Sequence, residues 1–147
     1  MFVERMLATA RERLVMVSHD APLIEAARLL GSANADLVVV CGPGGFLSGV
    51  ITKTDLVRQI SRWEGSNCTV AVSATMTEEV VSCRPSDQVS DVWAIMKERR
   101  LKNIPVTDAA SVPIGVLNAR DALQVLLTEV EQEETLLRDY VMCVGYR

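Results

Sequence analysis

With 147 residues, 49% of them apolar and only 4% aromatic, the chain can bury one core or two small linked ones, built from Val, Leu, Ile, Ala and Met. A formal net charge of −4 argues against a general nucleic-acid binder, whose affinity depends on neutralising phosphates, yet leaves room for one nucleotide in a local positive pocket. Four cysteines without Cys-x-x-Cys spacing and a single histidine, His19, argue against a metal site and fit small buried thiols in a reducing cytoplasm.

Glu4 and Arg5 precede any apolar run, and no segment approaches the length of a bilayer span, so no membrane partner is expected. Residues 1–10 predict a short helix with Val3, Met6, Leu7 and Ala10 on one face. A short apolar strand follows over residues 14–17. Cap residues and Pro22 then lead into a helix over residues 22–30, burying Leu23, Ala26, Ala27 and Leu30 and ending at Gly31. His19, with no identifiable partner, reads as a loop residue rather than a base. Residues 37–41 form a continuous apolar run, as in a strand buried on both faces. The cluster Gly42-Pro43-Gly44-Gly45 reads as a hairpin turn, being too short and too poor in Lys-Ser/Thr for a P-loop. A return strand spans residues 46–51, Thr52 opens a helix reaching about Trp63, and residues 64–67 are a linker.

The order then repeats. A short helix is expected within residues 70–76 and a strand over 80–83. A helix to about Arg100 follows, with Val89, Val92, Ile95 and Met96 inward and Trp93 beside them in a core or an interface. Ile104-Pro105-Val106 is a strand whose proline belongs at an edge or strand end, and residues 112–117 return. Asn118 starts a longer final helix. Its stripe of Leu123, Leu127, Val130, Leu137 and Val141 faces away from the acidic Glu129, Glu131, Glu133 and Glu134, which read as a solvated face.

Residues 49–55, Gly-Val-Ile-Thr-Lys-Thr-Asp, return as residues 115–121, Gly-Val-Leu-Asn-Ala-Arg-Asp, 66 positions later. Sliding the chain by that offset needs no gap, and it also aligns Ala8-Thr9 with Ala74-Thr75 and Val40 with Val106. Each copy reads as a buried strand turning into a helix, with Thr52 or Asn118 at the cap and Asp55 or Asp121 at the third helical position. Two readings stay open here: a capped helix with a carboxylate near its positive end, or a helix terminus whose free N–H groups hold a phosphate.

The order strand, helix, strand, strand, helix, twice, with Gly-hydrophobic-hydrophobic-Thr-x-x-Asp opening the last helix, resembles a CBS domain pair, or Bateman module. Ala74-Thr75-Met76-Thr77 before a Val-Val strand and Asn103-Ile104-Pro105-Val106-Thr107-Asp108 before the hairpin match as well. The resemblance implies an α/β (α+β) fold in which two repeats, residues 1–66 and 67–130, pack sheet to sheet and leave two clefts, with a helical extension over residues 131–147. It further implies an adenosine ligand in those clefts, AMP first, with ADP, ATP, NAD or S-adenosylmethionine as alternatives. The motif's Asp would accept ribose hydroxyls, an arrangement that charge assistance strengthens. By position, the first site takes Thr52, Lys53, Thr54 and Asp55. The second takes Asn118, Arg120 and Asp121, with Lys102 and Asn103 at the strand start. Asn118 departs from the usual hydroxyl residue, Asn103 from His or Arg, and Asp36-Leu37 supplies no cation, so the first site has the better motif and the second the better phosphate electrostatics.

Three functional classes follow: a nucleotide-sensing regulatory module acting on an unidentified protein, an interaction module with empty clefts, and an enzyme. No nucleophile–base pair or metal cluster supports the third, so a non-catalytic protein is expected. The apolar stripes Leu23/Ala27/Leu30, Val89/Trp93/Met96 and Leu123/Leu127/Val130 exceed what one small core can cover and predict a homodimer. Gly49 and Gly115 are expected where the strand passes close to the cleft, so that a side chain there would crowd the site or strain the backbone.

Overall fold

The computed structural model describes residues 1–32, 35–62 and 70–145. A 3-10 turn, Val3–Met6, runs into helix α1, Leu7–Glu12. The first repeat then places strand β1 (Met16–Ser18) parallel to β2 (Leu37–Cys41), with helix α2 (Leu23–Ser32) between them in sequence. Strand β3 (Leu47–Thr52) pairs antiparallel with β2 and leads directly into helix α3 (Lys53–Ser61). The hairpin turn over residues 42–45 forms as expected, with Gly44 and Gly45 at φ of 82° and 84°, a region that glycine enters without the Cβ penalty. In the second repeat, helix α4 (Val89–Arg99) precedes the antiparallel pair β4 (Asn103–Thr107) and β5 (Pro113–Asn118), and helix α5 runs Ala119–Gly145. Both hairpins carry a register shift at the same repeat position, Val40/Cys41 and Val106/Thr107.

Several expected elements change form. The strand expected over residues 80–83 reduces to one parallel bridge, Cys83 with Val106. The segment leading into it is held elsewhere. Thr77 is drawn across to the first repeat, where it exchanges hydrogen bonds with Val50 at 2.8 and 3.0 Å, and the chain rejoins β4 only at Cys83. The helix expected within residues 70–76 is a single 3-10 turn, Val72–Ala74. Helix α2 continues through Gly31 to Ser32, Ile95 faces outward, and the linker expected over residues 64–67 lies outside the described residues.

Each repeat completes the other's core. Val3, Met6 and Ala10 pack with Val89, Val92, Met96, Ile104, Val106 and Leu117 of the second repeat, whereas Val72 joins Val17, Leu23, Ala26, Leu30, Val38 and Ile51 of the first. Burying each such Val, Leu or Ile contributes about 1.5–3 kcal/mol. A third cluster, Leu37, Val39, Val50 and Val116, is where the two sheets meet. Val3 N donates to Asp87 O at 2.9 Å and Val72 N to Ala21 O at 2.8 Å, so these two valines are counterparts although 69 positions apart. The gapless offset of 66 therefore fails at the N-terminus, where three additional residues let α1 form in place of an extended segment.

Gly49 and Gly115 are required for packing against these exchanged segments. A Cβ on Gly115 would lie 2.8 Å from Ala10 Cβ and 3.0 Å from Ala10 C in α1, and one on Gly49 would lie 2.8 Å from Thr77 O. Neither is kept small by the clefts, contrary to the sequence-based expectation.

Candidate functional site

The two motif aspartates sit at equivalent helix starts and have unlike partners. Thr52 caps α3 because its φ of −115° and ψ of 169° leave the helix, freeing its hydroxyl to accept from Asp55 N at 3.3 Å. Asp55 Oδ2 in return accepts from Thr52 N at 3.0 Å and from Thr52 Oγ1 at 3.1 Å, closing a capping box. Thr77, brought over from the second repeat, donates its hydroxyl to Asp55 Oδ1 at 3.2 Å, and Arg58 Nη1 stands 3.9 Å from the same oxygen. Asp55 is 7% exposed.

Asp121 also occupies the third position of its helix, but its carboxylate turns outward to α1. Arg13 donates from Nε to Oδ2 and from Nη2 to Oδ1, the latter at 3.0 Å, in a two-bond fork. That hydrogen-bonded carboxylate raises the Arg13 guanidinium above its ordinary value, against an opposing effect of burial. Asn118 is taken up locally: its Oδ1 accepts from Arg120 N at 2.9 Å, and its Nδ2 donates to Asn103 Oδ1 at 2.9 Å.

Around Asp55 opens a continuous cleft of about 540 Å³. Thr52, Lys53, Thr54 and Asp55 form one side, Val50, Val80, Val81, Leu101 and Pro105 give it apolar wall, and Arg100, Lys102 and Asn103 reach it from the second repeat. Lys102 and Asn103, assigned by sequence to the second site, thus line the first cleft too. The space beside Asp121 is divided. A compartment of about 170 Å³ is lined by Val15, Leu37, Asn103 and Val116, and another of about 380 Å³ by Lys102, Asn118, Ala119 and Arg120, with Arg13 and Asp36 bordering both. Thr52, Lys53, Thr54, Asp55, Lys102, Asn103, Asn118 and Arg120 therefore line these clefts, whereas Asp121 lines none of them and lies behind its pair with Arg13. Sequence reasoning did not single out Thr77, Arg13 or Arg100 as site residues. Thr77 lay inside a quoted motif; Arg13 pairs with a residue 108 positions away, and nothing local signals it.

The CBS domain family model matches residues 5–62 and again residues 71–128. The chain belongs to the CBS domain family. A crystal structure of a CBS-domain containing protein from Agrobacterium tumefaciens superimposes with a TM-score of 0.72 at 27% identity, covering 85% of this chain and 98% of that one. The CBS domain pair of protein MJ0100, solved in complex with 5′-methylthioadenosine and S-adenosyl-L-methionine, also gives 0.72, at 18% identity over 88% of this chain and 98% of its own. A homoserine O-acetyltransferase from Methanohalophilus mahii is 23% identical over 97 residues, 66% of this chain and 19% of the enzyme. The chain spans about a fifth of the length of the two curated homoserine O-acetyltransferases it matches.

Among the described residues, no group of His, Cys, Asp and Glu side chains could hold a metal ion, and no helix is long and apolar enough to cross a membrane.

Proposed function

We propose that this CBS pair is a cytoplasmic, non-catalytic regulatory module that binds an adenosine compound in the Asp55 cleft and signals to a partner protein. The observation that carries this reading is the cleft itself: a carboxylate set at one end of about 540 Å³ of continuous space with an apolar wall. Its size falls within the usual range for small-molecule sites, about 300–1,000 Å³. The hydroxyls of Thr52 and Thr77 now on Asp55 can be exchanged in kind for the two vicinal hydroxyls of a ribose. The base then lies along Val50, Val80, Val81 and Pro105, and the anionic groups of AMP, ADP, ATP or an NAD-like ligand face Lys53, Arg100, Lys102 and the start of α3. The ligands of MJ0100, 5′-methylthioadenosine and S-adenosylmethionine, belong to the same class and share its ribose.

Both repeats line this cleft, so a ligand touching β3–α3 and the Val80–Val81 segment biases how the repeats sit against each other. That bias is the signal a partner would read. A homodimer suits the outer surface, where Val57, Ile60, Ile95, Leu127 and Val130 are exposed. Of the three stripes that suggested dimerisation, those on α2 and α4 are largely buried inside the pair, and the one on α5 remains outside.

A second reading is favoured by the closed capping box. If Asp55 serves only α3, the pair is an interaction module with an empty cleft. A thermal-shift series with AMP, ADP, ATP, NAD, 5′-methylthioadenosine and S-adenosylmethionine separates the two. A ligand at a hundred times its Kd stabilises the fold by about 2.7 kcal/mol, whereas an interaction module melts unchanged with all six.

A further inference from the structure

We propose that Arg13 is a specificity-determining residue that restricts adenosine binding to the Asp55 cleft, leaving one ligand site per chain despite two copies of the motif. The inference rests on the reading of the Asp55 cleft as a nucleoside site. Two independent features of the second cleft support it.

The first is chemical. Both oxygens of Asp121 are engaged by one guanidinium, through two charge-assisted bonds. A ribose diol could reach that carboxylate only by displacing Arg13, exchanging charged donors for neutral ones and leaving a cation without its counter-ion. At Asp55 the groups to be displaced are the hydroxyls of Thr52 and Thr77, at 3.1–3.3 Å, an exchange of like for like, while the Thr52 N–H keeps its bond at 3.0 Å and Arg58 stands back at 3.9 Å.

The second is steric. A nucleoside needs an apolar wall for its base and a polar mouth for its sugar in one continuous space. The Asp55 cleft has both. Beside Asp121 the apolar wall, Val15, Leu37 and Val116, lies in the smaller compartment, while the α5 start with Asn118, Ala119 and Arg120 lies in the larger one. Arg13 lines both, as does Asp36, so the side chain that engages the carboxylate also stands in the space a base and its sugar would share.

The repeat makes the point sharper. The counterpart of Arg13 under the offset of 66 is Glu79, which lines the Asp55 cleft and cannot pair with its aspartate.

Isothermal titration calorimetry with AMP, 5′-methylthioadenosine and S-adenosylmethionine tests this on the wild type, Asp55→Asn, Arg13→Ala and Arg13→Gln, and on Arg13→Ala combined with Asp55→Asn. The wild type should bind one equivalent, and Asp55→Asn should bind about tenfold more weakly or worse. Arg13→Ala should bind two equivalents, the added site surviving in the double variant. Arg13→Gln, which keeps the fold's bulk but not the charge, should move in the same direction. Two equivalents in the wild type, or one in both Arg13 variants, would overturn the proposal while leaving the Asp55 site standing. Absence of heat from all three compounds with every protein would overturn the Asp55 reading and this inference with it.

Discussion

The two clefts are built from the same motif on the same scaffold, and they differ because of what the opposite repeat sends across. The Asp55 side receives the segment around Thr77, whose hydroxyl is a weak, rotatable donor, and which also brings Glu79 to the cleft wall. The Asp121 side receives α1, whose Arg13 forms a two-bond fork with the carboxylate. A duplicated motif therefore does not give its two carboxylates the same partners. The exchanged segment sets which partner each aspartate meets.

The largest effect is expected where α1 is held. Gly115→Val forces a side chain against backbone atoms of Ala10, which cannot yield as a flexible side chain would, and should lower stability by about 3 kcal/mol. Urea unfolding measures it. A loss below about 0.5 kcal/mol would mean that α1 does not dock on β5, and the contrast between clefts would lose its basis.

The carboxylates come next. Asp55→Asn removes charge assistance from two hydrogen bonds to ribose and should weaken AMP binding by about ten- to a hundredfold. Asp121→Asn should leave affinity within about twofold of wild type. Calorimetry with AMP and 2′-deoxy-AMP sharpens the comparison, since the deoxy compound should bind the wild type more weakly and the Asp55→Asn variant with less discrimination. Equal losses in both variants would make the clefts equivalent.

A pH effect distinguishes the two cores. Cys83 stands where the first repeat has Val17, and burial, with a smaller contribution from Asp87, pushes its thiol up to about 12 from an ordinary 9.0. The protonated form is the one the fold prefers, so its contribution to stability is complete below about pH 9 and is lost as pH rises towards about 12. Since the thiolate is the reactive form, iodoacetamide at pH 8 should modify Cys83 on the order of a thousandfold more slowly in the folded protein than in urea. Peptide mapping reads this directly, and rapid native labelling would show the second core to be open.

The smallest effect lies at the end of α4. Arg100 holds φ of 57° and ψ of 44°, a left-handed conformation in which glycine is more comfortable, and it lines the Asp55 cleft. Arg100→Gly should raise stability by about 0.5–1 kcal/mol while weakening AMP more than uncharged 5′-methylthioadenosine. A stability gain with unchanged AMP affinity would remove Arg100 from the site.

Much of this protein is local and was legible in the residues alone. The repeat, the hairpin at residues 42–45, the caps at Thr52 and Asn118, and the inward faces of α2 and α4 each depend on neighbours within a few positions, where propensity and periodicity act. Most of the motif residues line a cleft in the structure. What the residues could not decide was every choice made between distant segments. The 80–83 run has the composition of a strand, yet only Cys83 pairs with β4 while Thr77 before it pairs with β3, and composition does not say where such a segment will find its partners. Gly49 and Gly115 read as cleft glycines until Thr77 and Ala10 were found against them. Asp55 and Asp121 occupy identical places in the motif, and only the tertiary structure brings a hydroxyl to one and a guanidinium to the other, because a carboxylate's partner is set by whatever the fold carries within hydrogen-bond reach.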